Sequence, residues 1–139
     1  MRFVTILAAV TMAFLPACVT LADRPTLDGS TWQLTSWSES GSDPSAFTIT
    51  ANFAEGGMQG KSAVNSYVST YTQGPGQAFT LGRVGSTMMA GPTEAMDAEQ
   101  TFFRLLDQAR SWQRESGTLT LADAAGKALL VFSPAAPGP

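Results

Sequence analysis

Few side chains in this chain can do covalent or acid–base chemistry, and their types narrow the choices early. Its 139 residues include one cysteine, Cys18, and no histidine. Without imidazole, the usual neutral-pH base is missing, and zinc cannot be held by histidine. A serine nucleophile would then need a lysine as its base, either Lys61 or Lys127. Lys61 adjoins Ser62, but neighbours in a strand point to opposite faces, so they do not form a working pair. The carboxylates of Glu94, Asp97 and Glu99 crowd together. They read as solvated residues at the start of a helix rather than as an acid–base pair. Gly56-Gly57 and Gly74-Pro75-Gly76 fall in apparent hairpin turns, not in a strand-to-helix phosphate loop. No regularly spaced oxygen ligands suggest calcium. A formal charge of −3 also argues against a nucleic-acid partner. The expectation is a protein that is not an enzyme, with no cofactor, no metal and no nucleic acid.

Cys18 is the exception. Met1-Arg2 opens the chain with a positive charge, and Phe3–Phe14 is an apolar run of export-signal length, shorter than the roughly 20 residues a spanning helix needs. Leu15-Pro16-Ala17-Cys18 resembles a bacterial lipobox. That resemblance implies a lipoprotein signal peptide over 1–17, cleavage before Cys18, and acylation of its thiol and new amino group. Several acyl chains anchor far more firmly than one. An ordinary signal peptide with an incidental cysteine is the plainer alternative. The only Cys nevertheless stands where lipid chemistry requires it. Val19 replaces the aspartate that favours inner-membrane retention in Gram-negative lipoproteins. The expected location is therefore the outer membrane, lipid-anchored and periplasm-facing, with the membrane as first partner.

Residues 18–26 read as a lipidated tether, 27–133 as one folded domain and 134–139 as a disordered tail. Trp32 and Leu34 alternate with Thr31, Gln33 and Thr35, the period of a half-buried strand. Phe47, Ile49, Ala51 and Phe53 alternate more cleanly. Met58–Val64 is expected to return as a strand with an irregularity at Gly60, and Tyr67–Thr72 and Ala78–Leu81 to follow as further strands. Across Glu94–Gln113 the period changes: Ala95, Ala98, Phe102, Phe103, Leu106 and Ala109 recur at three- and four-residue steps. This predicts an amphipathic helix of about five turns. Thr93 or Asp97 could cap it, and Arg110 and Arg114 would complement the dipole at its far end. Thr118–Leu121 and Lys127–Phe132 predict a terminal hairpin. The fold class is then β-dominated α+β: an antiparallel, barrel-like sheet with one amphipathic helix packed on it before the C-terminal hairpin.

Three further sites attract attention. Asn65 reads first as a buried amide satisfying backbone groups at a strand irregularity, and second as a ligand contact. Trp32 reads as core because Leu34 shares its face. Exposure of Trp37 or Trp112 beside Tyr67 or Tyr71 would instead mark a binding surface. Met88 and Met89 read as strand filling rather than as a sulfur site.

Together these stretches resemble the META domain family of HslJ-like bacterial lipoproteins. Leu27-Asp28-Gly29-Ser30-Thr31-Trp32-Gln33-Leu34 is similar to the family's L-x-G-T-W-x-L opening, with one extra serine. Gly60–Tyr67 followed by Tyr71 resembles G-x-x-G-C-N-x-Y-x-G-x-Y, and Thr87–Pro92 resembles T-x-M-A-C-P. Glu99-x-x-Phe102 and the last hairpin complete the likeness over 27–133. It implies structural roles for Trp32, Gly60, Asn65, Tyr67, Thr87, Met89 and Phe102. The family's cysteines fall at Val64 and Gly91, and a family glycine at Ala63. Joint loss of the cysteines is what a partnered pair would show. The resemblance implies links to envelope stress, motility or drug tolerance, and no reaction. The expected function is a non-enzymatic, lipid-anchored envelope accessory domain that is structural or binds an envelope protein partner. The alternative is a small apolar ligand held in the barrel or on an exposed aromatic patch.

Overall fold

The computed structural model describes residues 25–136. The signal peptide, Cys18 and most of the tether lie outside the described residues. Among the described residues, nine strands and one α-helix follow in order: β1 (Ser30–Trp37), β2 (Thr50–Ala54), β3 (Gly57–Lys61), β4 (Ser66–Gln73), β5 (Phe79–Leu81), β6 (Gly85–Ser86), α1 (Thr93–Gln108), β7 (Ser111–Glu115), β8 (Thr118–Ala122) and β9 (Ala128–Pro134). They form one antiparallel sheet in the order β5-β4-β3-β2-β1-β9-β8-β7, with β6 added to β4. Its ends approach each other. Ala78 bridges Ser111, and the Phe79 N–H donates to the Arg110 carbonyl at 2.9 Å. The sheet is thus a nearly closed barrel carrying one helix, the architecture expected from the sequence.

Alternation dictates which side chains enter. Trp32 and Leu34 from β1, Ala51 and Phe53 from β2, and Met58 from β3 are fully or almost fully buried. So are Leu119 and Leu121 from β8, and Leu130 and Phe132 from β9. Thr35 is the extra residue of a bulge, since Leu34 pairs Phe132 while Ser36 pairs Val131. That bulge turns Ser36 out to solvent, where unbroken alternation would set it on the face of Leu34. Helix α1 closes the core with Ala98, Phe102, Leu105 and Leu106, and Phe102 meets the Tyr67 ring at 5.4 Å between centroids.

The helix is shorter than the expected Glu94–Gln113. It ends at Gln108, and Ser111–Glu115 is strand β7, paired with β8 from Ser111↔Ala122 to Glu115↔Thr118. The apolar spacing continues past Ala109, but pairing with β8 decides the conformation. Ser116 and Gly117 both have positive φ (50° and 75°), the two-residue hairpin turn that matches strand twist. Glu55 and Gly56 repeat that geometry between β2 and β3. Arg110 does cover the helix end, donating to the carbonyls of Asp107 and Ala109. Arg114 instead leaves the helix, and its guanidinium lies 5.4 Å from the Trp32 ring centre. Neither Thr93 nor Asp97 caps the start, where Pro92 precedes the first turn without a side-chain cap. At the other terminus the expected tail begins inside the sheet: Pro134 pairs Trp32, and the Ala135 N–H donates to the Thr31 carbonyl. Residues 137–139 lie outside the described residues.

Candidate functional site

The densest polar cluster forms where the β3–β4 connection, the loop after β6 and helix α1 meet. Asn65 stands at its centre with 2% exposure. Its side-chain N–H₂ donates to Glu99 Oε1 at 2.8 Å and to the Met89 carbonyl at 3.2 Å. Its side-chain oxygen accepts from the Met89 N–H at 2.7 Å and the Thr87 hydroxyl at 2.9 Å. The four hydrogen-bonding positions of the amide are therefore filled. Glu99 Oε2 accepts the backbone N–H groups of Asn65 at 2.9 Å and Val64 at 3.2 Å. Ser62, fully buried, donates its hydroxyl and its N–H to the Asn65 carbonyl.

This reverses the sequence reading of Glu99. It is buried, at 6% exposure, and binds strand-connection amides instead of water. Its position held the signal, because one helical turn separates it from Phe102 on the apolar stripe. The pairing partner, 34 positions upstream, leaves no trace in local periodicity. These bonds bring Asn65, Thr87 and Met89 together. Gly60, Tyr67 and Phe102 form the adjoining layer. Gly60 faces Tyr67 across the β3–β4 ladder, and a Cβ there would lie 2.2 Å from the Thr50 carbonyl oxygen. Only glycine fits that approach. The Tyr67 hydroxyl donates to the same carbonyl at 2.7 Å, and burial pushes its ionisation well above the ordinary phenol range. Trp32 is core, its indole N–H donating to the Ser30 hydroxyl at 2.7 Å. Lys61 is exposed while Ser62 is buried, so the two point apart.

The two positions matching the family cysteines also meet. A Cβ at Gly91 would lie 3.5 Å from the Val64 Cβ, at the close end of the spacing across disulfides. It would also lie 2.8 Å from the Val64 Cγ2. Valine's branches thus occupy the space that the missing Gly91 side chain leaves. Ala63 adopts φ of 84°, where the family pattern has glycine.

Met88 and Met89 are not strand filling. Their loop stands outside the sheet, with Met88 96% and Met89 54% exposed, and Val68 on β4, paired with Gly85 of β6, is 57% exposed. Asn65 grips both the N–H and the carbonyl of Met89, so a fixed backbone presents these side chains. They lie at the Ser66 end of β4, where Thr87 pairs Ser66. The incoming chain lies at the other end, where the Leu27 N–H and Thr26 hydroxyl donate to the Gln73 side chain. Along eight residues of strand, those ends are roughly 25 Å apart. Trp112 is buried and Trp37 is half-buried with its N–H on the Ser42 carbonyl, so neither forms an exposed aromatic patch. The barrel interior is occupied by Trp32, Phe53, Phe79 and Phe132, with Ile49 buried beside them and Phe47 only half-buried. These side chains stand where the alternative reading places a small apolar ligand. Among the described residues no three His, Cys, Asp or Glu side chains gather as a metal site, and no helix is long and apolar enough to cross a membrane.

The model of the META domain family matches residues 25–136. No curated protein matches the chain. Among solved structures, the chain is similar to the NMR structure of a protein from Burkholderia xenovorans, with 21% identity and a TM-score of 0.62. That match covers 91% of this chain and all of the other. It also matches the crystal structure of a DUF4847 family protein from Bacteroides vulgatus, with 18% identity and a TM-score of 0.46, covering 64% and 60% of the two chains. With a family match running from the first described strand through the last, the chain belongs to the META domain family.

Proposed function

We propose that this chain is a lipid-anchored accessory domain of the bacterial envelope that works without catalysis, holding a protein partner through its Met88–Met89 end. The observation that carries this reading is the exposure of Met88 and Met89 on a loop whose backbone is fixed by buried hydrogen bonds. Flexible thioethers held at a rigid site suit protein contacts, because they adapt to the surface they meet. The orientation fits a lipid at Cys18. Pro25 follows Cys18 by seven positions, a span of at most about 25 Å, and the chain enters at the barrel end opposite the methionines. Anchored that way, the domain turns the Met surface away from the bilayer and toward other envelope proteins. A role in envelope stress tolerance follows if that partner belongs to the stress machinery.

The test places a photo-crosslinking residue at position 88 in the full-length chain in its own membrane, and at Gln113 on β7 as control. A defined adduct from position 88, absent at position 113 and lost on Met89→Glu, supports the proposal. Equal adducts from both positions, or none, overturn it. Cys18→Ala should release the protein from the membrane pellet, and unchanged pelleting would refute lipidation.

A further inference from the structure

A second surface, independent of the Met loop and of the reading above, has the makings of a ligand site. On the outer face of β1, β2 and β3 a groove of about 820 Å³ is walled at one side by Pro134–Ala136. Its floor is set by strand register. Thr31 pairs Asn52, which pairs Gln59, and Gln33 pairs Thr50. Thr50 in turn reaches β3 through the Lys61 N–H, which donates to its hydroxyl at 3.0 Å. Because Trp32, Leu34, Ala51, Phe53 and Met58 all point inward, their neighbours Thr31, Gln33, Thr50, Asn52, Gln59 and Lys61 all point into the groove. The approach of Gly60 to Thr50 draws β3 tightly against β2 along its floor.

The floor is the polar outer face of the sheet. Five of the six side chains are uncharged amides or hydroxyls, and four of them are half-buried. Among the described residues, the amides of Asn52 and Gln59 have no hydrogen-bond partner, and that of Gln33 reaches only the Phe47 carbonyl at 3.5 Å. Such groups both donate and accept, as hydroxyl-rich ligands require. A nucleic acid would need several cations where Lys61 is the only one. A peptide adding as a strand would need a free edge, whereas β1, β2 and β3 are each paired on both sides.

We propose that this groove binds a saccharide chain, read by the amide and hydroxyl rows, with Lys61 favouring a carboxylate-bearing sugar unit. The volume lies within the usual range for small-ligand sites, about 300–1,000 Å³. The experiment titrates the ¹⁵N-labelled domain of residues 18–139 with a chitotetraose, an oligogalacturonate and, as a charged control without sugar, citrate, following amide shifts. Saturable shifts centred on Thr31, Asn52 and Gln59 with a saccharide but not with citrate support the proposal. Asn52→Ala with Gln59→Ala should weaken that binding about tenfold or more while leaving other amide positions in place. Lys61→Gln should remove any preference for the oligogalacturonate over the chitotetraose. Absence of shifts with both saccharides up to about 10 mM, equal response to citrate, or binding indifferent to the double substitution would overturn it. None of these results depends on a partner at Met88, so the two proposals fail separately.

Discussion

Around Asn65, three segments distant in sequence are held by one amide and one carboxylate. Across β7, β8 and β9, the chain is held instead by Trp112, Leu119, Leu121, Leu130 and Phe132 on alternate positions. The first region satisfies each hydrogen-bonding position of the Asn65 side chain. The second leaves the buried Trp112 N–H without a partner among the described residues. An unpaired buried donor costs on the order of 1–3 kcal/mol, which a well-filled apolar core can absorb. A partly satisfied polar cluster is less tolerant, since each lost partner strands several others. The apolar half therefore supplies stability, and the polar half fixes the position of one particular loop.

Substitutions can sharpen that contrast. The largest effect is expected at Phe102, which is fully buried and touches Tyr67 and Phe103. Phe102→Ala should destabilise the whole domain by about 3–5 kcal/mol in urea denaturation. A loss below about 1 kcal/mol would mean that the helix does not close the core. Next comes Val64→Cys with Gly91→Cys. Oxidation should form a cross-link and raise stability by about 2–4 kcal/mol, detectable as a Tm that falls on adding reductant. Thiols that stay free under oxidant would show that the two positions do not meet as described. Smallest is Ala63→Gly, which relieves a left-handed alanine and should add about 1 kcal/mol. A loss of stability there would mean that the connection is held differently.

The two regions also differ in how far the sequence disclosed them. Period-two alternation at Trp32–Leu34 and Ile49–Phe53 reveals inward faces because burial repeats at each second residue. The last hairpin reads the same way. Strand β7 was hidden for a related reason: Ala109 and Trp112 prolong a helical spacing, and only pairing with β8 decides against it. Glu99 was hidden more deeply. A carboxylate near a helix start is well explained by solvent and the helix dipole, and its real partners include an amide 34 positions away. Likewise, nothing local distinguishes Met88 as a surface residue from Met58 as a core one. Exposure of the loop follows from the grip of Asn65 on Met89, a contact between segments that no short window contains.

The buried Asn65–Glu99 pair fixes the Thr87–Met89 surface through the Asn65 amide. Hydrogen exchange on Asn65→Ala tests it most directly. The Met89 and Thr87 amides should lose protection by about tenfold or more beyond any global change. The amides of Leu119, Leu121 and Leu130 should shift only with overall stability. A uniform loss across both regions, or an unaltered Met89 amide, would contradict it.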